Sequence, residues 1–202
     1  MKNLDKESIR DTILDATDHL LARYGYKKMT MEDLAQEVGI GKGTIYLHFK
    51  SKEEVVLSHI DRIIDRLKER LTSIAGSDAP APERLKSMLI ERVLFRFDSV
   101  QHYSQSLNDL LAALRPNLLA RRKRFFEEEA LVFADVLKGG KQKGDFEFED
   151  ALTTAHTLLL ATNSLLPYSL SARELGERGD VKEKVSRIAD LLLTGLLSRE
   201  QG

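Results

Sequence analysis

The sequence of 202 residues contains no cysteine and no tryptophan, and only 4 prolines. Without cysteine it can form no disulfide, no thiolate nucleophile and no cysteine-ligated zinc site, and a reducing cytoplasm is the simple expectation. No stretch approaches the roughly 18 apolar residues of a membrane-spanning helix. The first residues, MKNLDKESIRD, are charged and lack the apolar segment of a signal peptide. We therefore expect a cytoplasmic protein without a membrane partner.

Motifs for catalysis and metal binding are missing as well. The five histidines, His19, His48, His59, His102 and His156, do not have a metal-ligand spacing such as H-E-x-x-H. The sequence contains no G-x-S-x-G nucleophile motif and no visible pairing of a histidine with a nucleophile. We expect no enzymatic activity, no metal and no cofactor.

The composition that is present favours helices and a sizeable core. Apolar residues make up 42% of the chain and charged residues 31%, which is not the composition of a disordered protein. The net charge of −1 argues against binding a polyanion over the whole surface. Residues 39–52, however, include three lysines, one histidine and no carboxylate. A nucleic-acid footprint can be that local on a nearly neutral protein.

Apolar residues recur at helical spacing along the chain, as in Ile9, Ile13, Ala16, Leu20 and Tyr24. This pattern predicts an all-α fold of about nine helices. Capping boxes are predicted to open helices at residues 30, 51 and 180, because each position has a hydroxyl or carboxylate residue followed three positions later by an acid. A short helix is predicted to end near residue 114, and Pro116 is predicted to open the next one.

The clearest linker is GSDAPAP, Gly76 to Pro82. The long amphipathic helix that precedes it is expected to belong to both parts of the protein. The linker is the main domain boundary, blurred by that helix, and the helix is counted with the second domain. The predicted domains are residues 1–52, a helix-turn-helix unit, and residues 53–202, a larger helical domain.

The stretch GKGTIYLHFKSKEE, Gly41 to Glu54, admits three interpretations. A nucleotide phosphate loop is excluded by the glycine spacing and by the helix predicted before it. A structural turn would use the glycines only to let the chain turn. A helix-turn-helix needs a small residue, a turn glycine four residues later and an apolar residue six beyond that, which Ala35, Gly39 and Ile45 provide. The spacing favours the third interpretation.

The segment Thr30 to Val55, TMEDLAQEVGIGKGTIYLHFKSKEEV, resembles the N-terminal DNA-binding region of TetR-family transcriptional regulators. The resemblance implies an all-helical homodimer with a three-helix DNA-binding domain and a larger domain for ligand binding and dimerisation. It also implies that Lys42, Gly43 and Thr44 face the DNA groove and that Tyr46, His48 and Lys52 contact phosphates. Thr30 matches the hydroxyl residue at the start of the second helix.

Gly41 departs from the family pattern, which often has serine or threonine at this position. A glycine can still cap a helix, although less strongly. Lys42 is the long hydrogen-bond donor near the groove-facing start of the recognition helix, so it is the candidate for a guanine contact. Thr44 could meet a thymine methyl group or a phosphate, and Leu47 could add only apolar contact.

The second domain is predicted to hold an inducer pocket and the dimer interface. Aromatic residues concentrate in successive helices, and two polar residues lie seven apart on the following helix, which suits a largely apolar pocket with a few polar groups. The pocket candidates are Phe95, Tyr103, Phe126, His156 and Asn163, and the alternative is that they belong to an ordinary core. For the dimer, a four-helix bundle is expected from Leu158, Leu165, Ile188, Leu191, Leu192 and Leu196.

Together these features predict a cytoplasmic transcriptional repressor. It would bind a near-palindromic double-stranded operator as a homodimer, and a small apolar or amphipathic inducer would release it. Two alternatives remain: a DNA-binding dimer without an inducer, and a helical small-molecule-binding protein or enzyme whose helix-turn-helix is incidental.

Overall fold

A computed structural model describes residues 6–101, 107–167 and 176–197. The all-α prediction is confirmed: within these ranges the backbone forms eight α-helices and one 3-10 turn, and its sole β-type pairing is an isolated bridge between Phe146 and Leu197. The helices are α1 (Lys6–Lys28), α2 (Met31–Val38), α3 (Lys42–His48), α4 (Lys52–Ala75), α5 (Ala81–Val100), α6 (Leu107–Lys143), α7 (Ala151–Thr162) and α8 (Arg178–Thr194), with the 3-10 turn at Asn163–Leu165.

The described residues fall into two compact units. One takes its residues from the segments 1–64 and 101–120, and the other from 65–100 and 121–202. Both α4 and α6 therefore contribute residues to each unit. The predicted domain boundary between residues 52 and 53 stays a prediction. The linker of residues 76–82, which follows α4, lies inside the second unit.

The first unit is built on the apolar side of α1. Ile13, Ala16 and Leu20 are almost completely buried there, as the helical spacing predicts. Tyr24, which the same pattern assigned to that side, is 40% exposed. The reason is local: Gly25 has φ 69° and ψ 168°, so the helix is interrupted next to Tyr24 before it resumes and ends at Lys28. Only glycine adopts that conformation at little cost.

The second unit is organised around one apolar core from five helices. Its members are buried leucines, phenylalanines and small residues, and each fully buried leucine contributes roughly 2 kcal/mol relative to an exposed one. Representative members are Leu67 and Leu71 of α4, Leu85 and Leu89 of α5, Phe133 and Leu137 of α6, Leu158 and Leu159 of α7, and Ala189 and Leu193 of α8.

Several predicted helix boundaries are wrong. The two helices expected around Pro116 are one continuous helix, α6, with the proline inside it. An interior proline costs about 3 kcal/mol because it removes a backbone hydrogen bond. Leu110, Leu114 and Phe125 on either side of the proline are buried, and their burial offsets that cost.

The last two helices each have a carboxylate at or near their first residue, and the start of the second one differs from the prediction. The helix α7 begins at Ala151, where the Asp150 carboxylate accepts the Thr153 N–H at 2.7 Å. The helix α8 begins at Arg178, so Asp180 lies in its first turn instead of capping it. A carboxylate in the first turn still favours the helix through its interaction with the helix dipole.

Within the described ranges, every helix is either too short or too polar to cross a membrane. The same residues hold no group of three or more metal-ligating side chains.

Candidate nucleic-acid interface

The turn between α2 and α3 has the geometry that the sequence predicts. Gly39 ends α2 with φ 74° and ψ 33°, and its N–H donates to the Gln36 carbonyl at 3.2 Å. The Ile40 N–H then donates to the Ala35 carbonyl at 3.0 Å. Ala35 is buried where the two helices meet. A left-handed glycine closed by two such bonds fixes the angle between two short helices.

The start of α2 is held by a complete capping box. The Thr30 hydroxyl oxygen accepts the Asp33 N–H at 3.1 Å, and the Asp33 carboxylate accepts the Thr30 N–H at 2.8 Å. The same carboxylate accepts the Thr30 hydroxyl hydrogen at 2.7 Å. The capping box predicted at residue 30 is therefore confirmed.

The helix α3 divides cleanly into a buried and an outward side. Ile45 is fully buried, and Phe49, the residue that ends the helix, is 1% exposed. Lys42, Gly43, Tyr46 and Leu47 are exposed, with Leu47 reaching 77%, while Thr44 and His48 are half-buried at the border. The outward side of α3 therefore presents a cationic, a phenolic and an apolar side chain, from Lys42, Tyr46 and Leu47.

The N-terminus of α3 is capped by backbone alone. Gly41 has the extended conformation of an N-cap residue, with φ −68° and ψ 145°, but it provides no side-chain hydrogen bond. The Gly41 carbonyl accepts the Thr44 N–H at 2.8 Å. No side chain therefore caps the N-terminus of α3.

The start of α4 is tied to the end of α1 by Lys52. Its ammonium donates to the Tyr26 carbonyl at 2.9 Å and lies 4.5 Å from the centre of the Tyr26 ring. Burial, together with the charge of Glu53, raises the pKa of Tyr26. Beside it the Ser51 hydroxyl accepts the Glu54 N–H at 3.1 Å and caps α4. Lys52 therefore orders the segment in which it was predicted to contact phosphate.

Lys42 carries a partner that the sequence pattern did not reveal. Its ammonium lies 3.2 Å from the carboxylate of Glu32 on α2, and the two side chains are 50% and 69% exposed. The positive segment 39–52 contains no carboxylate of its own, so the helix-turn-helix geometry brings one to its edge from α2.

The predicted pocket residues lie in different surroundings. The His156 ring stacks on the Phe126 ring at a centroid distance of 5.3 Å, and its Nε2 lies 3.1 Å from the Glu127 carboxylate. Phe95 is half-buried beneath the Arg70 guanidinium, 4.8 Å away. Tyr103 lies outside the described residues.

Asn163 belongs to a buried polar cluster that sequence reasoning missed. Arg92 donates through Nη2 to the Asn163 side-chain oxygen at 2.8 Å, through Nη1 to the Thr162 hydroxyl at 2.9 Å, and through Nε to the Glu129 carboxylate at 2.7 Å. Arg96 donates to the other oxygen of Glu129. The available signal was two arginines four residues apart on the otherwise apolar side of α5.

The charge of Glu129 is stabilised by this cluster. Burial alone raises its pKa, but the opposite charges of Arg96 and Arg92 and their hydrogen bonds outweigh burial and hold the pKa below the ordinary value. The carboxylate, at 2% exposure, is therefore ionised at neutral pH.

The residues predicted for the dimer interface are unequally available. Leu158 is buried in the core of its own chain and has no free surface to offer a partner. Leu165, Ile188, Leu192 and Leu196 are half-buried, and Leu191 is 77% exposed. Leu160 on α7, which the sequence reasoning did not select, is 59% exposed.

Known proteins share both the motif and the fold. The profile of the bacterial regulatory proteins of the tetR family matches residues 13–58. Over 145 residues the chain is 28% identical to the HTH-type transcriptional repressor KstR2 of Mycobacterium tuberculosis, covering 69% of this chain and 70% of that protein.

Two solved structures illustrate the similarity of the fold. A transcriptional regulator from Cytophaga hutchinsonii has a TM-score of 0.76 at 22% identity, covering 93% of this chain and 98% of that one. SmeT in its complex with triclosan has a TM-score of 0.71 at 21% identity, covering 96% of this chain and 93% of that one. The helix-turn-helix lies inside the residues that match the tetR family, and together with the regulator relatives this supports a TetR-family transcriptional regulator.

Proposed function

We propose that the protein is a homodimeric, ligand-responsive repressor that binds a near-palindromic operator. The observation that carries the proposal is the outward side of α3, where Lys42, Tyr46 and Leu47 are exposed on a helix whose other side is locked into the core by Ile45. A helix presented in this way fits the major groove. A dimer would set two of these helices one or more DNA turns apart, roughly 34 Å or a multiple of it.

We assign different roles to the DNA-contacting residues. Lys42 reads a guanine, and Thr44 meets a thymine methyl group or a phosphate. Tyr46 and His48 hold phosphates, since hydroxyl and imidazole groups at the border of the helix suit backbone oxygens.

Lys52 and Thr30 are proposed as phosphate contacts with a second duty. The Lys52 ammonium has three donors, and at least one already serves the Tyr26 carbonyl. The Thr30 hydroxyl donates its hydrogen to the Asp33 carboxylate. Because a phosphate oxygen accepts hydrogen bonds, Thr30 can contact a phosphate only if this hydrogen turns away from Asp33. We therefore expect that replacing either residue by alanine weakens binding to every DNA sequence.

The dimer proposal is revised by the burial of individual side chains. The exposed leucines Leu160 of α7 and Leu191 of α8 are the contacts we propose for a partner, with Ile188, Leu192 and Leu196 beside them. Leu158 is left out because it is buried in its own chain. Replacing Leu191 by aspartate should shift the protein to monomer in analytical ultracentrifugation, while the same change at the exposed Leu131 of α6 serves as the control.

The ligand proposal rests on the family and on the shared fold with SmeT, which was solved with triclosan bound. We propose a small apolar or amphipathic ligand that binds one conformation of the dimer better than the other. The ligand can weaken DNA binding by no more than the difference between its own affinities for the two conformations. A ligand screen by thermal shift, followed by DNA release, tests this step. If no compound releases DNA, the protein is a DNA-binding dimer without an inducer.

Selection of bound DNA from a random pool tests the DNA-binding function directly. We expect a palindromic motif and an affinity that falls steeply with salt. Lys42→Ala should change the preferred base at one position of each half-site, whereas Lys52→Ala should weaken all sequences alike. Absence of any enriched motif and of salt-dependent binding would contradict the proposal.

A further inference from the structure

The Glu32 carboxylate is an unexpected negative charge beside the surface that is proposed to bind DNA. It is 69% exposed and stands 3.2 Å from the ammonium of Lys42, the residue proposed to read a guanine. Facing a polyanion, an exposed carboxylate lowers affinity unless it finds a hydrogen-bond donor. The amino groups of cytosine and adenine are the donors that base edges offer in the major groove.

We propose that Glu32 is a specificity-determining residue, which reads the cytosine amino group of the same G·C pair whose guanine Lys42 reads. This inference rests on the proposed DNA-binding function. Guanine presents O6 and N7 as acceptors and cytosine presents N4–H₂ as a donor, so one G·C edge offers an acceptor beside a donor. An ammonium beside a carboxylate is the complementary arrangement.

The spacing of the two side chains fits that edge. Guanine O6 and cytosine N4 are joined by a base-pair hydrogen bond, so they lie about 2.9 Å apart. The ammonium and the carboxylate are 3.2 Å apart. Each can therefore meet its base atom while remaining beside the other. The cytosine amino group keeps one N–H free of base pairing, and the Glu32 carboxylate accepts it.

The energetics allow the pair to open toward DNA. An exposed ion pair is worth about 0–1 kcal/mol, whereas a good base contact discriminates by about 1–3 kcal/mol. An A·T pair also has a donor beside an acceptor, but the thymine methyl group flanks O4, and thymine lacks the second acceptor that N7 gives guanine. The pair should therefore favour G·C, with guanine toward Lys42.

The capping box does not depend on Glu32, because Thr30 and Asp33 form it between themselves. Substitution of Glu32 should therefore leave the fold intact. Glu37 provides a matched control: it is also an exposed glutamate on α2, and it lies 3.8 Å from His19 instead of Lys42.

The test compares the wild type with Glu32→Ala, Glu32→Gln and Glu37→Ala by selection from a random DNA pool and by titration of single operators. In the wild type, replacing the G·C pair that Lys42 reads should weaken binding about 5- to 150-fold. Glu32→Ala should reduce that ratio several-fold and tighten binding to unrelated DNA, and Glu32→Gln should relax the choice between cytosine and other bases. Glu37→Ala should leave the ratio unchanged.

The outcomes separate this proposal from the one on which it rests. If Glu32→Ala strengthens binding to every sequence equally and leaves the preferred base unchanged, Glu32 is a surface charge only and the inference is wrong. If Lys42→Ala also leaves every base preference unchanged, the assignment of Lys42 fails first. If the wild type enriches no motif, the DNA-binding function itself fails.

Discussion

Replacing Glu129 by leucine should be among the most destabilising single changes in the chain. Its carboxylate is buried and faces two guanidinium groups, from Arg92 and Arg96 of α5. Arg92 is 1% exposed, and without Glu129 it keeps hydrogen bonds to Thr162 and Asn163 but loses its ion pair with that carboxylate. Leucine has a similar size, so the change removes charge and hydrogen bonds without leaving a large cavity.

The expected loss follows from what remains buried. Breaking a buried ion pair by removing one partner typically costs 3–5 kcal/mol. Arg96 is near the end of α5 and slightly exposed, so it can recover some hydration, and we expect about 3 kcal/mol. For a chain of this length, 1 kcal/mol corresponds to a shift of roughly 2–4 °C. The melting temperature should therefore fall by about 6–12 °C.

Urea unfolding followed by circular dichroism measures this loss, and the neighbouring residue offers a control. Glu128 is only half-buried and pairs with Lys68 at 3.0 Å, so Glu128→Leu should cost less than about 1 kcal/mol. Replacing Glu129 together with both arginines by apolar residues should restore most of the stability, because no buried charge is then left unpaired. Equal losses for Glu128→Leu and Glu129→Leu would refute the reasoning.

The same group gives the stability a defined pH dependence. Because the folded pKa of Glu129 is lowered, its contribution is present above the unfolded carboxyl pKa of about 4.3 and is lost as pH falls through the folded value. The stability difference between wild type and Glu129→Leu should therefore be constant near neutrality and shrink in acid below about pH 4.

Four further substitutions have defined outcomes. Gly39→Ala should destabilise the protein by about 1 kcal/mol because φ is 74°, whereas Gly43→Ala, inside α3, should stabilise it by about 0.5–1 kcal/mol in the same melting assay. His59→Leu should raise the free energy of unfolding by about 1 kcal/mol, since both buried ring nitrogens lack hydrogen bonds and Nε2 only approaches the Asp18 carboxylate at 3.4 Å. Asp150→Ala should lower the melting temperature at pH 7, and the gap should narrow in acid because the Thr153 N–H holds the Asp150 pKa below its usual value.

Local signals in the sequence predicted the helix-turn-helix well. A capping box, a left-handed glycine and an apolar return are each determined within a few residues, and Thr30, Gly39 and Ile45 all have the expected geometry or burial. Gly41 was predicted to cap more weakly than a hydroxyl residue, and it provides no side-chain hydrogen bond. These features depend on backbone conformation and neighbouring residues, which a sequence displays directly.

Features that depend on distant residues were not predictable in the same way. Arg92 and Glu129 are 37 residues apart, and neither position shows from its own neighbours that it is buried. Asn163 was selected for a pocket from its helical spacing, yet it serves as an acceptor for Arg92. Pro116 looked like a helix start because local preference disfavours it elsewhere, but burial on both sides of it prevailed.

The degree of burial determines whether an ion pair of this protein stabilises the fold or is available to bind DNA. The pair between Arg92 and Glu129 is enclosed, so its partners cannot exchange without leaving a charge unpaired, and it holds α5 and α6 in one arrangement. The pair between Lys42 and Glu32 is exposed, so water replaces either partner at little cost. An exposed pair of this kind can turn its donor and its acceptor toward a base pair at little cost. The same chemistry therefore stabilises the fold in one unit and is available for sequence recognition in the other.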